Sequence, residues 1–270
     1  MPFTISHTAV VLPFARWLAR WQLLSAATIG AMVPDFRVFF PGMPRVETHS
    51  LTALFTFCLP VGLIAYWVFQ LVIKSPILEV LPDGPYARWR PFAAEADIQS
   101  LRQWFLASIG VLAGALTHLI WDAFTHEGGR GVRMFPVLDD SLIDIGSRHL
   151  QAHFVLQDLG SLIGLAAVLG MLSWGLRRGS QAAVPNRRVR SRERLVWWLI
   201  YTFTAILFTA GFYAWVRFGQ PPTHSIFMRV SWSAIASLRG LAAALLCVSL
   251  ALDLRLRQLH HRHRSSGPDC

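Results

Sequence analysis

The sequence predicts an all-α protein, a multi-pass transmembrane helical bundle with an N-terminal interfacial or re-entrant helix pair. Three observations carry this expectation. Hydrophobic residues make up 54% of the 270 and charged ones only 15%, and the mean hydropathy is +0.44. Five runs reach the roughly 20 apolar residues that cross a hydrocarbon core: Leu51–Ile73, Trp104–Phe124, Phe154–Leu176, Leu195–Val216 and Ile226–Leu252. The arginines cluster between and after these runs. A soluble domain does not carry so many nearly uncharged stretches.

The N-terminal pair precedes the spans. From Thr8 to Trp21, Val10, Val11, Phe14, Trp17, Leu18 and Trp21 recur at helical spacing, while Thr8, Arg16 and Arg20 face the other way. Pro13 interrupts the pattern, so regular helix is expected to begin there. An Arg/Trp-rich amphipathic helix lies in the headgroup plane. Leu23–Val33 is too short to span, so it reads as a shallow or re-entrant helix stopped by Pro34. The rival reading fuses Ala9–Val33 into one tilted span and puts His7 on the cytoplasmic side. It would bury Arg16 and Arg20 in mid-bilayer, which is costly.

Orientation follows from the basic residues. If the Arg-rich loop 177–194 is cytoplasmic, so are Lys74–Arg102 and the tail, and these hold 15 basic residues against 9 on the outer side. His49, Asp122, His126, His149 and His153 then share the outer face. The expected organisation is a membrane-embedded core at 1–176, the cytoplasmic loop at 177–194, two further spans at 195–254 and a disordered cytoplasmic tail at 255–270. The net charge of +10 comes with 24 of 25 basic residues as arginine. Their place beside apolar runs argues for a membrane orientation signal, not nucleic-acid binding. Cys58, Cys247 and Cys270 show no paired spacing, so no disulfide framework is expected. No basic n-region with a cleavage site opens the chain, so no removed signal peptide is expected.

Chemistry is carried by a string of histidines and aspartates at the edges of the apolar runs: His7, Asp35, His49, His118, Asp122 and His126. Imidazole with carboxylate is the ligand set of zinc and similar divalent ions in hydrolytic centres. His118 and Asp122 lie four apart, about 6 Å along one helix face, so both can bind one ion. His126 lies about 12 Å from His118 on a straight helix. Either Gly128-Gly129 lets it fold back or Asp122 bridges two ions. Each residue also has a structural reading. The His118–Asp122 pair could join helices by hydrogen bonds. Asp35 could be a turn residue, and His49 could stand at a helix entry capped by Thr48 or Ser50.

The opening Met1-Pro2-Phe3-Thr4-x-Ser6-His7 is followed by Gly30-x-Met32-Val33-Pro34-Asp35-Phe36 and Thr48-His49-Ser50-Leu51. Then comes Gly114-Ala115-x-Thr117-His118-x-x-Trp121-Asp122-x-x-Thr125-His126. Across most of the first 175 residues this order resembles the bacterial domain-of-unknown-function family 4184, which implies a multi-pass bacterial membrane protein without assigned chemistry. It also resembles membrane-bound metal-dependent hydrolases and, more distantly, zinc-dependent phospholipase C and the single-strand nucleases of its fold. That likeness implies His7, Asp35, His49, His118, Asp122 and His126 as ligands, with Asp122 bridging. The sequence departs where that fold has His-x-x-x-Glu: here His149 is followed by His153, and His153 by Gln157. Where the closer family leads one to expect Gln-His, the chain reads Gln157-Asp158-Leu159-Gly160-Ser161. One or two ions are therefore expected.

The resulting expectation is a metal-dependent hydrolase in the inner (cytoplasmic) membrane, its site on the outer face. Its cofactor is a divalent ion, zinc first, and its substrate a lipid or envelope phosphoester. Asp35 and Asp122 are the candidate catalytic residues, Asp35 to steer water; another unligated carboxylate could take that task. The alternatives are metal transport or sensing, and a purely structural polar cluster. Arg239, inside the last run, either pairs with Asp158 or meets an anionic substrate. His260, His261 and His263 read as incidental to a solvated tail. With no Gly-rich phosphate loop and no Gly-x-Ser-x-Gly elbow, nucleotide-driven and serine-hydrolase chemistry find no support.

Overall fold

The computed structural model describes residues 4–40, 46–90, 97–145, 148–177, 189–219 and 226–265. Its elements are overwhelmingly helical, and five of them are long and apolar enough to cross a membrane. The protein is a multi-pass helical membrane protein.

The chain opens with 3-10 turns, Thr4–Phe14, and regular helix starts after Pro13 with α1 (Ala15–Arg20). Gln22 adopts a left-handed φ of 61°, and α2 (Leu24–Gly30) follows. The break at Gln22 rules out a single span fused from Ala9 to Val33. Phe14, Trp17 and Trp21 stay exposed, as an apolar face set against headgroups would. After α2, Pro34 opens a second 3-10 segment, Val33–Phe39, which carries Asp35.

The spans begin with α3 (Leu54–Val80), which contains π-helical turns at Leu54–Cys58 and Phe69–Ile73. It starts later than the expected Leu51, because the Ser50 hydroxyl accepts the Ala53 N–H in a turn. It also runs on past Ile73, since Lys74 Nζ reaches Gln70 Oε1 at 2.7 Å within the helix. Next come α4 (Asp83–Trp89) and α5 (Leu101–Thr125), whose start is capped by Ser100. The short α6 (Arg130–Met134) leads to an antiparallel hairpin, β1 (Ser141–Ile145) with β2 (Arg148–Gln151). The hairpin was not expected; β-branched Ile143 and Ile145 favour it, Ile143 standing opposite Leu150. The remaining spans are α7 (Ala152–Arg177), α8 (Ser191–Gly219) and α9 (Ile226–Ser265).

The tail expected to be disordered from residue 255 is therefore helical to Ser265. Leu256 is buried in an apolar cluster, and Arg257 pairs with Asp253 one turn back at 2.7 Å. Both extend the helix past its apolar run. Much of the expected loop 177–194, including Arg178, Arg187 and Arg188, lies outside the described residues.

The chain forms two compact units, Met1–Tyr66 with Asp97–Trp174, and Trp67–Ala96 with Gly175–Cys270. The segment Trp67–Ala96, read from sequence as part of the N-terminal core, groups with the C-terminal spans. The reason is packing: Val80 sits in one cluster with Val189, Trp197, Tyr201, Val248, Leu252 and Leu256, and Trp198 Nε1 donates to the Val80 carbonyl at 3.0 Å. In the first unit, α2 lies directly on α5. A Cβ on Gly114 would overlap the Ala27 carbonyl, and one on Gly110 would crowd the Ala26 methyl. Small residues on both helices permit this backbone approach, as in membrane helix pairs generally.

Candidate metal centre

The α2–α5 contact builds the site. It brings the end of α2 to the last turns of α5, where the Ala31 carbonyl accepts the His118 Nδ1–H at 2.8 Å. A carbonyl can only accept, so Nδ1 carries a proton, and Nε2 is the nitrogen turned towards the carboxylates. Backbone carbonyls orient metal-ligating histidines in this way. His118 is 1% exposed.

The other residues close around that nitrogen. His118 Nε2 lies 3.2 Å from Asp122 Oδ2, one turn along the helix, and 3.8 Å from Asp35 Oδ1. His7, on the opening 3-10 segment, stacks its ring on His118 with centroids 3.7 Å apart. Its Nε2 stands 3.8 Å from Asp122 Oδ1. His49, just before α3, places Nε2 3.4 Å from both Asp35 Oδ1 and Asp122 Oδ2. Thr4 donates to Asp35 Oδ2 at 2.7 Å, and Thr48 Oγ1 lies 2.8 Å from His49 Nδ1.

His126 resolves the distance problem posed by a straight helix. The regular helix stops at Thr125, and His126 takes an extended backbone with φ −111° and ψ 141°. Its Nδ1 then lies 3.5 Å from Asp122 Oδ1. The two oxygens of Asp122 therefore face different partners, Oδ2 towards His49 and His118 and Oδ1 towards His7 and His126. All six residues singled out in the sequence are brought together.

The donor set fits a divalent ion. His7, Asp35 and His118 offer ligand atoms within 4.8 Å of one another, and so do His49, His118 and Asp122. Zinc bonds of about 2.0–2.2 Å in tetrahedral array put neighbouring ligand atoms roughly 3.3 Å apart. The nitrogen–oxygen separations here run from 3.2 to 3.8 Å. His7 Nε2, His118 Nε2 and Asp122 Oδ1 are buried with no hydrogen-bond partner among the described residues. Buried polar atoms are otherwise nearly always paired, and leaving three orphaned in one spot is costly.

At His7 and Asp35 the charge states suit the same role. Burial, reinforced by neighbouring His118, lowers the His7 pKa to about 4, so the ring is neutral at neutral pH. For Asp35, burial pushes the pKa up, but the His49 hydrogen bond, His118 and the Thr4 hydroxyl outweigh it and the net shift is downward. Neutral imidazole and ionised carboxylate are the forms that bind a cation.

A cleft of about 690 Å3 opens over the cluster, and Glu47, Arg130 and Arg133 share its lining with His49, Asp122 and His126. The sequence reading passed over those three charged residues. The available signals were local: Glu47 stands two before His49, and Arg130 follows the Gly128-Gly129 turn just after His126.

Other candidates lie elsewhere. His153 is fully buried, but its Nδ1 donates to the Leu138 carbonyl at 3.0 Å beside Asp139, away from both ligand groups. The side chains of His149, His260, His261 and His263 lie outside the described residues. Arg239 is buried in the second unit, whereas Asp158 is exposed in the first.

Residues 1–250 match the model of a protein family described as a domain of unknown function, DUF4184. The match runs past the first 175 residues that hold the motifs and takes in the spans that follow. No curated protein and no solved structure matches the chain.

Proposed function

The chain belongs to the DUF4184 family, and from that premise we propose that it is a membrane-bound, metal-dependent hydrolase of a lipid or envelope phosphoester. One observation carries the reading. Three buried ligand atoms without hydrogen-bond partners among the described residues converge beside an open cleft that also presents two arginines. His7, Asp35, His49, His118, Asp122 and His126 would hold the ion, zinc being the first candidate, and the divided oxygens of Asp122 suit a second ion. When bound, such an ion supplies Lewis-acid chemistry, acidifying water and offsetting charge on phosphoryl oxygens. Glu47 is exposed, lines the cleft and stands outside both ligand groups, so it joins Asp35 as a residue to steer the attacking water.

Transport would favour ligands near mid-membrane, flanking broken helices. Here His49 precedes α3, and Asp122 and His126 stand at the end of α5, so the cluster gathers at span ends. The arginine distribution, 15 basic residues against 9, supports a site on the outer face of the inner membrane. In a cysteine-free background, Arg187→Cys should resist an impermeant thiol reagent in intact cells while Asp139→Cys labels. The reverse pattern would put the site on the cytoplasmic side.

The function is tested by screening lipid and generic phosphodiesters with metal-loaded protein, chelated protein and the Asp122→Asn variant. Hydrolysis is expected from the first alone. Activity persisting in either control belongs to a contaminant, and a metal-bearing protein inert across a broad panel of esters and amides is a transporter or sensor.

A further inference from the structure

The cleft over the cluster has two chemically different parts. At one end, Arg130 and Arg133 stand three apart on α6, hence on one face of it. Neither guanidinium has a carboxylate partner among the described residues. Their helix is held firmly. Gly128 takes a left-handed φ of 68°, the Gly129 N–H bonds back to the His126 carbonyl at 2.9 Å, and a Cβ on Gly131 would strike the Phe124 ring. Two unpaired, well-placed guanidinium groups beside a metal-ligand cluster are an anion site, and their forked donors match phosphate oxygens.

At the other end the wall is apolar. Leu116, Leu119 and Ile120 recur at positions i, i+3 and i+4 on α5, and Leu51 joins them. Leu116 lies about 9 Å along the helix axis from Asp122, towards the middle of the apolar helix Leu101–Thr125. Leu51, Leu116 and Ile120 are 54%, 40% and 53% exposed, so the wall is open at the surface of an apolar helix. A water-soluble phosphoester has no use for such a wall.

We infer that this cleft binds a membrane amphiphile: Arg130 and Arg133 select its anionic phosphate, and the Leu51–Leu116–Leu119–Ile120 wall takes an acyl chain directly from the bilayer. The inference rests on the phosphoester reading for the reaction, but lipid selection can be measured without turnover. Arg130 and Arg133 are specificity residues, set apart from the metal ligands.

The test reconstitutes full-length protein in nanodiscs of equal parts phosphatidylcholine and phosphatidate and weighs the retained lipid by native mass spectrometry, with metal counted in the same samples. Wild type should retain phosphatidate over phosphatidylcholine. Arg130→Gln with Arg133→Gln should lose roughly tenfold of that preference, the loss of about one charge-assisted hydrogen bond, with metal content unchanged. Arg130→Lys with Arg133→Lys should recover part of it, which a merely misfolded double variant could not do. Ile120→Ser should weaken retention of long-chain phosphatidate, and soluble glycerol phosphate should not displace the lipid. An unchanged preference in the glutamine variant overturns the arginine assignment, and displacement by glycerol phosphate overturns the acyl-chain wall. Selection of phosphatidate by a metal-free protein would sustain the lipid site and sink the hydrolase instead.

Discussion

Among its buried residues, the unit formed by Met1–Tyr66 and Asp97–Trp174 counts His7, Asp35, His118, Asp122, Thr125 and His153. The core of the unit formed by Trp67–Ala96 and Gly175–Cys270 is built from Val80, Val189, Trp197, Val248, Leu252 and Leu256. In that second unit Tyr201 and Ser249 bond each other at 2.8 Å and so leave those two hydroxyls satisfied. In the first, His7 Nε2, His118 Nε2 and Asp122 Oδ1 have no hydrogen-bond partner among the described residues. Membrane helices pack as well through close backbone contact as through bulky side chains. The first unit uses its Gly–Ala contact to position polar atoms; the second, which also buries Glu79 and Arg239, is centred on an apolar cluster. One region is built to hold a site, the other to hold together.

That contrast can be broken at graded cost. The largest effect is expected from Leu252→Ala in the apolar unit, a fully buried side chain whose loss should destabilise by about 2–5 kcal/mol. Thermal unfolding in detergent measures it, and bound metal per folded molecule should not change. A change in metal content would show that the units do not divide the labour as argued. Next come His118→Ala and Asp122→Asn, each expected to weaken metal binding by at least about a hundredfold, beyond the range seen for outer-sphere partners. Their melting profiles without metal should move far less. Unaltered metal counts in both variants would end the ligand assignment.

Gly114→Ala sits between the two kinds of effect. Its methyl must push α2 from α5, at about 1–3 kcal/mol for overpacking. It should also loosen the Ala31–His118 bond, so stability and metal affinity fall together. If stability drops with affinity intact, the helix contact does not position the site. The smallest effect is expected from Thr4→Val, which removes only the hydrogen bond to Asp35 Oδ2. Metal affinity should fall about tenfold with the fold unchanged, as read by competition with a chromogenic chelator.

Much of this was legible in the chain. Long apolar runs announce spans, because the bilayer demands length and hydrophobicity together. His118 and Asp122 could be paired from spacing alone, since helix geometry is local. His7, Asp35 and His49 could be grouped only by their motif resemblance; nothing in periodicity says that residues so far apart will meet. His126 stayed undecided because its reach depends on where α5 stops, and that end is set by a cap conformation instead of composition. Glu47, Arg130 and Arg133 were missed for a related reason: a cleft is a property of packed elements. The helical stretch beyond Arg255 was missed because its support comes from burial of Leu256 and from a one-turn ion pair, both invisible to a hydropathy count.

The bond from His118 to the Ala31 carbonyl has a consequence for biosynthesis. His7, Asp35 and His49 leave the ribosome long before residues 118–126 do. Until α5 enters the membrane, the end of α2 lacks the neighbour that its small residues are shaped to meet, and the early half of the cluster stands open. A chain truncated before α5 therefore carries three of the six residues and only one of the two helices, α2, of the contact that aligns the rest. Completion of the cluster thus reports that α5 has arrived and seated, and with the metal binding proposed above, ion uptake would mark that step.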